Sequence, residues 1–290
     1  MQAFIDVLLP ISIGVIMFGI GTGLSISDFK RVFIRPKEVT FGLIGQLLLL
    51  PLVGFLIAII FPLDPVHQLG VILIAACPGG TSSNLVSYML KGKVSLSVSI
   101  TAFNSFLVVF TIPIILELAF IFFWDEPREV QMSMYDTFSE IIFTVLLPVM
   151  GGVALRHYMP KTASSLKKPL RWVLPLILFT VFLLIIINNR ESDNVSLLDY
   201  WYLLFPALFL NVFVMFVGFY LSGAIGIKHR GKYTIAIEMG LQNSALAIYL
   251  ANMLQIDGLE LIAVLYGSFS FFTTFIIAWF MKNYMNKKSI

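Results

Sequence analysis

The chain has 290 residues, of which 59% are hydrophobic and only 12% charged, about half the charged share of a soluble domain. Its 27 Phe exceed what one soluble core of this size can hold, whereas a bilayer accepts outward-facing apolar side chains at no cost. A lone cysteine, Cys77, excludes an internal disulfide, a cysteine metal cluster and a CxxC redox pair, and the net charge of +3 is read through its distribution, with no nucleic-acid partner expected.

Apolar runs able to cross roughly 30 Å of hydrocarbon at about 20 residues each lie near 4–24, 38–62, 67–90, 95–123, 138–155, 170–188, 200–223, 231–254 and 259–281. They predict an all-α polytopic membrane protein with nine transmembrane helices. The first run precedes Lys30, the first basic residue, so it lacks the basic region of a signal peptide and is read as a retained span of a mature protein. Every Lys and Arg except Arg128 and Arg190 falls in alternate connections, around Lys30–Lys37, Lys91–Lys93, Arg156–Arg171, Lys228–Lys232 and Lys282–Lys288. The opposite loops collect acids such as Asp64, Asp125, Glu126, Glu129 and Asp193. By the positive-inside rule the N-terminus is outside and the C-terminus cytoplasmic, which an odd number of spans requires.

The third span carries Cys77-Pro78-Gly79-Gly80-Thr81-Ser82-Ser83-Asn84 in mid-membrane, and the eighth carries Glu238-Met239-Gly240-Leu241-Gln242-Asn243-Ser244. Pro78, Gly79, Gly80 and Gly240 break both helices. Setting Gly79 against Gly240 gives an offset of 161 residues that carries the first four spans onto the sixth to ninth. Spans five apart run in opposite directions, so the pattern predicts an inverted-topology repeat with paired discontinuous helices, as in secondary transporters. The repeats cover about 4–124 and about 137–284, and the span at 138–155 has no first-repeat counterpart.

Irregular backbone at mid-depth survives only when buried in protein or lining a wet cavity. A broken helix offers carbonyl oxygens to a cation at one end and amides to an anion at the other. Thr81, Ser83, Asn84, Ser97, Thr101, Gln242 and Asn243 add hydroxyls and amides around the breaks, an oxygen set suited to a hard cation. Glu238 is the acid deep within a span, and no Lys, Arg or His lies at its depth. A buried carboxylate costs at least ~2.5 kcal/mol on the gentlest insertion scales, so Glu238 either carries a proton or has a cation beside it. Ser97 and Thr101 are four apart and share a helix face, although such hydroxyls also bond their own backbone. Gln46 reads equally as an interhelix hydrogen bond.

The 77–84 and 238–244 strings together, one in each repeat, resemble the bile acid:sodium symporter family over about residues 4–284. The resemblance implies two crossed discontinuous helices, with core-domain helices at about 38–124 and 200–284 and panel helices at about 4–24, 138–155 and 170–188. It implies one sodium site of Ser83, Asn84, Ser97, Thr101 and Glu238, and a second of Gln46, Glu238 and Gln242 with the backbone carbonyls of Met239 and Leu241. The substrate would lie between core and panel, its anionic group near Thr81 and Asn243. Thr273 and Thr274, implied as further substrate contacts, occupy the region where the family's last helix contributes polar groups, without matching its Asn. The implied activity is secondary active import of an amphipathic or small organic anion, a bile salt or smaller carboxylate, with two sodium ions per anion by alternating access. It is not an enzyme, uses no organic cofactor, implies no obligate protein partner, and sits in the plasma (inner) membrane. Two sodium ions balance one ionised Glu238 and one monoanion, the neutral state a low-dielectric site tolerates best.

Proton coupling through Glu238 is the alternative, against which the oxygen-rich surroundings argue. An intramembrane hydrolase with Ser83 or Ser244 as nucleophile needs a nearby base, and His67, His157 and His229 all fall near the membrane surface. A channel would not need paired broken helices, nor a scaffold a buried acid. Asn194-Val195-Ser196 is a glycosylation sequon in an outside loop.

Overall fold

The computed structural model describes residues 2–28, 36–124, 134–166, 169, 173, 176, 180 and 197–287. In chain order the helices are α1 (Gln2–Gly23), α2 (Pro36–Ile60), α3 (Pro65–Ala76), α4 (Thr81–Met89), α5 (Val94–Phe123), α6 (134–158), α7 (Leu204–Ala224, entered through a 3-10 turn at Leu197–Leu203), α8 (His229–Gly240), α9 (Ser244–Met253) and α10 (Leu261–Lys287). Among the described residues the fold is all-α, and five helices are long and apolar enough to cross a membrane: Pro36–Ile60, Val94–Phe123, Phe138–Tyr158, Tyr200–Ala224 and Leu261–Met285. Most of the span predicted at 170–188, and the sequon at 194–196, lie outside the described residues.

The chain divides into two compact units, Met1–Ile26 with Val130–Leu204, and Ser27–Glu129 with Phe205–Ile290. In the first unit α1 and α6 approach backbone to backbone through glycines. A Cβ on Gly21 would fall on the main-chain oxygen of Val149, and one on Gly152 on the main chain of Phe18 and Thr22; small residues permit this closeness where no hydrophobic force drives helices together. The Arg156 guanidinium donates to the Gly23 carbonyl and closes the end of α1.

In the second unit, α3 begins at an N-cap, Asp64, whose carboxylate accepts from the His67 amide at 3.0 Å, with Pro65 in the first turn. It ends at Cys77, which is extended at ψ 151° because a residue preceding proline is pushed out of the helical region. The helical path is interrupted between α3 and α4 at 77–80, and between α8 and α9 at 241–243. α2 stays continuous past Pro51 by a π-turn at Gly45–Leu49, and α6 does the same at Ile142–Leu146 ahead of Pro148. Proline removes a donor and crowds the preceding turn, so one wider turn absorbs the defect.

In the core of this unit Leu73, Ile74, Ile100 and Ile112 are fully buried, while Leu52, Ile59, Phe122 and Phe272 point outward at 64–70% exposure, the distribution of a bundle whose solvent is lipid. At one end, Lys93 pairs with Glu38 at 2.5 Å, and the Lys93 amide donates to the Thr234 hydroxyl at 2.9 Å, which holds the starts of α2, α5 and α8 together.

The glycine contact in the first unit makes a direct prediction. Gly152→Val forces α6 away from α1 and should destabilise the detergent-solubilised protein by about 1–3 kcal/mol, read as a lower thermal midpoint. Gly151→Val, whose Cβ would meet only the Phe18 ring at 3.7 Å, should leave the midpoint near wild type.

Candidate functional site

The two breaks meet. Gly79 and Gln242 form an isolated antiparallel bridge, in which the Pro78 carbonyl accepts from the Asn243 amide at 2.8 Å and the Gly80 amide donates to the Leu241 carbonyl at 3.4 Å. Each interruption therefore satisfies the other, as a buried break requires.

The carbonyls at the end of α8 are met in turn. That of Glu238 accepts from Gln46 Nε2 at 2.9 Å and that of Met239 from Gln242 Nε2 at 2.7 Å. The Gly240 carbonyl draws three side chains, Asn211 Nδ2 at 2.6 Å, the Tyr266 hydroxyl at 2.8 Å and the Thr274 hydroxyl at 3.2 Å, and Thr273 donates to Asn211 Oδ1 at 2.7 Å.

Beside the meeting of the two breaks lies the Glu238 carboxylate, fully buried together with Ser83, Ser97 and Thr101. Its Oε1 accepts from Ser83 Oγ at 2.7 Å and from Ser97 Oγ, and its Oε2 from Thr101 Oγ1 at 3.0 Å. Ser83 Oγ also stands 2.8 Å from the Gly80 carbonyl; a hydroxyl has one proton to give, so two acceptors compete for it. Gly79 passes so close that a Cβ there would lie 2.7 Å from Gln46 Nε2 and 2.9 Å from Glu238 Oε2, which is why the break needs glycine at this position. No Lys, Arg or His hydrogen-bonds Glu238 among the described residues, and no cluster of His, Cys, Asp or Glu suits a transition metal there.

Of the sequence-predicted residues, Ser83, Ser97, Thr101, Glu238 and Gln46 thus come together around one acid. Asn84 does not join them by a hydrogen bond among the described residues, and its Oδ1 is buried without a partner, as is Gln242 Oε1. Asn243 caps α9 by accepting from the Leu246 amide at 3.2 Å, leaving its Nδ2 as a donor group. The Thr81 side chain lies outside the described residues. Thr273 and Thr274 sit in the network on the Gly240 carbonyl. Three members of these networks escaped sequence reasoning: Asn104, whose Nδ2 donates to Gln46 Oε1 at 2.7 Å, Asn211 and Tyr266. Asn104 continues the 97–101 stripe by three residues, the signal that could have revealed it.

Chemically, the hydroxyl protons neutralise part of the carboxylate charge when nothing is bound, and the same oxygens keep lone pairs for a hard cation. The residues present therefore fit a monovalent cation held by oxygen.

A family model described as the sodium bile acid symporter family matches residues 10–194. The chain is 31% identical over 245 residues to an uncharacterized sodium-dependent transporter, YocS, of Bacillus subtilis, covering 84% of this chain and 73% of that protein. It is 32% identical over 245 residues to a probable chloroplastic sodium/metabolite cotransporter of rice, Oryza sativa subsp. japonica, covering 83% of this chain and 57% of that one. With the human ileal sodium/bile acid cotransporter it shares 26% identity over 248 residues, 85% of this chain and 69% of the relative. The chain spans little more than half the length of the plant relative.

The geometry separates the two neighbouring glycines of the first break. Gly79→Ala should raise the sodium concentration needed for half-maximal thermal stabilisation at least tenfold, because its methyl enters the space between Gln46 and Glu238. Gly80→Ala, whose nearest neighbour would be the Ser82 amide at 3.9 Å, should stay within threefold of wild type.

Proposed function

This chain belongs to the sodium bile acid symporter family, and we propose that it imports an organic anion together with two sodium ions by alternating access. The observation that carries this reading is the Glu238 carboxylate, fully buried and hydrogen-bonded to the hydroxyls of Ser83, Ser97 and Thr101. A carboxylate at that depth wants a positive partner, and the side chains bonded to it supply oxygen only.

In this reading the first ion is held by Ser83, Ser97, Thr101 and Glu238, with the buried Asn84 Oδ1 completing the shell. The second is held by Gln46, Gln242 and Glu238 with the main-chain oxygens of Met239 and Leu241. The anion's charged group is taken by the amide ends of α4 and α9, with Thr81 and the Asn243 Nδ2 donor as side-chain contacts. Thr273 and Thr274 are assigned to holding the second break, since Asn211 and the Gly240 carbonyl occupy their hydroxyls. The unit Ser27–Glu129 with Phe205–Ile290 is then the ion-coupling core, built from two oppositely oriented repeats, and the other unit is the panel. The N-terminus faces outside and the C-terminus the cytoplasm. Both a bile salt and a smaller carboxylate fit this description of the substrate, as the relatives' names span bile acids and metabolites.

Two cations offset the charges of Glu238 and a monoanion, so the loaded site is neutral and each cycle moves one net positive charge inward. Replacing potassium by sodium at constant ionic strength should stabilise the purified protein, by about 2.7 kcal/mol for each site filled to a hundred times its Kd, and Glu238→Gln should abolish the sodium-specific part. A folded wild-type protein indifferent to sodium would overturn the reading and leave proton transfer at Glu238 as the coupling reaction.

A further inference from the structure

The amide of Gln46 faces the wrong way for a cation ligand. Gln46 lies in the π-turn of α2, is 2% exposed, and gives its Nε2 to the Glu238 main-chain carbonyl at 2.9 Å. Its Oε1 is occupied by Asn104 Nδ2 at 2.7 Å. A cation arriving beside Gln46 at the end of α8 would meet the protons of Nε2 and not an oxygen. For Gln46 to serve as a ligand its amide must turn over, placing Oε1 beside the Glu238 carbonyl. Two oxygens facing each other in a buried site repel unless a cation or a proton donor stands between them, and the incoming ion supplies that partner. The turned Gln46 then points its NH2 at Asn104, which must now accept a hydrogen bond where before it donated one.

Asn104 has the means to do so. It is 1% exposed, and its Oδ1 is buried with no hydrogen-bond partner among the described residues. Rotating its own amide replaces the donor that faces Gln46 by that spare acceptor. An amide is one of the few neutral side chains that can hold Gln46 in either orientation, because it carries both a donor and an acceptor on one rotating group. Leucine could hold neither orientation, and aspartate would hold only the turned one.

We propose that Asn104 is a positioning residue that turns over together with Gln46 and thereby makes the second ion position available, an inference that rests on the sodium reading above. Ion entry exchanges the pair from Asn104 donating and Gln46 accepting to the reverse. The first ion position, formed by Ser83, Ser97, Thr101 and Glu238, does not depend on the exchange. Asn104 therefore acts on the number and cooperativity of bound ions, which a merely structural residue would not alter.

Equilibrium binding of radioactive sodium-22 to the purified full chain tests this. Wild type should bind two ions per chain with a Hill coefficient above one, and Asn104→Leu, close in volume, should bind one with a Hill coefficient of one. Asn104→Asp, which only accepts, should still bind two, with a half-saturating concentration at least threefold below wild type. That gain should disappear in a Gln46→Leu background, whereas an effect of the added charge alone would persist there, the logic of a double-mutant cycle. Two ions bound by Asn104→Leu with wild-type affinity, or a gain for Asn104→Asp that survives Gln46→Leu, would overturn the proposal. Should Asn104→Leu fail to elute as a folded species, the Asn104→Asp pair decides alone. Wild type that binds no sodium overturns the sodium reading itself, a different result from any produced by the variants.

Discussion

A main-chain carbonyl or amide stranded in hydrocarbon costs several kcal/mol, and the second unit of this protein contains two such stretches in the middle of its helices. The oxygens of Glu238, Met239, Gly240 and Leu241 would be stranded if α8 and α9 were broken in isolation. They are met by Gln46, Gln242, the Asn211–Tyr266–Thr274 group and the Gly80 amide, in that order. The Pro78 carbonyl of the first break is in turn met by Asn243. Each interruption supplies hydrogen-bond partners to the other, so the junction is a single structural object built from residues 161 to 165 apart, and it fixes where the Glu238 carboxylate must sit.

From this follows the electrostatic character of the site. The end of α8 gathers carbonyl oxygens, the negative pole of a helix, and places a carboxylate among them. Negative charge and negative dipole ends accumulate together, which water would normally relieve, yet Glu238 has no exposed surface. Hydroxyls from α4 and α5 offset part of the charge by giving it their protons. Among the described residues no positively charged side chain joins them, one that would fill the site permanently. A reversible ion can therefore compete for the same oxygens, the property that separates a coupling site from a buried salt bridge.

Much of this was readable in the sequence because the signals are local. Pro78 followed by Gly79-Gly80 in an apolar run, the acid Glu238 deep within a span, and the 97–101 spacing are each read from residues close along the chain. What stayed hidden depends on pairs distant along the chain. Asn104 finds Gln46 from 58 residues away, and Asn211 and Tyr266 reach Gly240 from 29 and 26; the 97–101 stripe marks the face of Asn104 but not its partner, and nothing in the apolar periodicity marks the other two. The π-turn that carries Gln46 was equally invisible, since a proline inside an apolar run signals a defect without specifying how the helix absorbs it. Thr273 and Thr274, assigned from sequence to the anion, have hydroxyls that the Gly240 carbonyl and Asn211 engage.

Sodium coupling at this site requires a monovalent cation among the oxygens of Glu238, Ser83, Ser97 and Thr101. Thallium(I), a heavy surrogate for alkali ions, can be located by its anomalous scattering in crystals of the purified protein, with sodium as competitor. We expect an anomalous peak within bonding distance of the Glu238 carboxylate that fades as sodium is added. A well-ordered crystal with no peak there, in which the three hydroxyls still close on the carboxylate, would contradict the account.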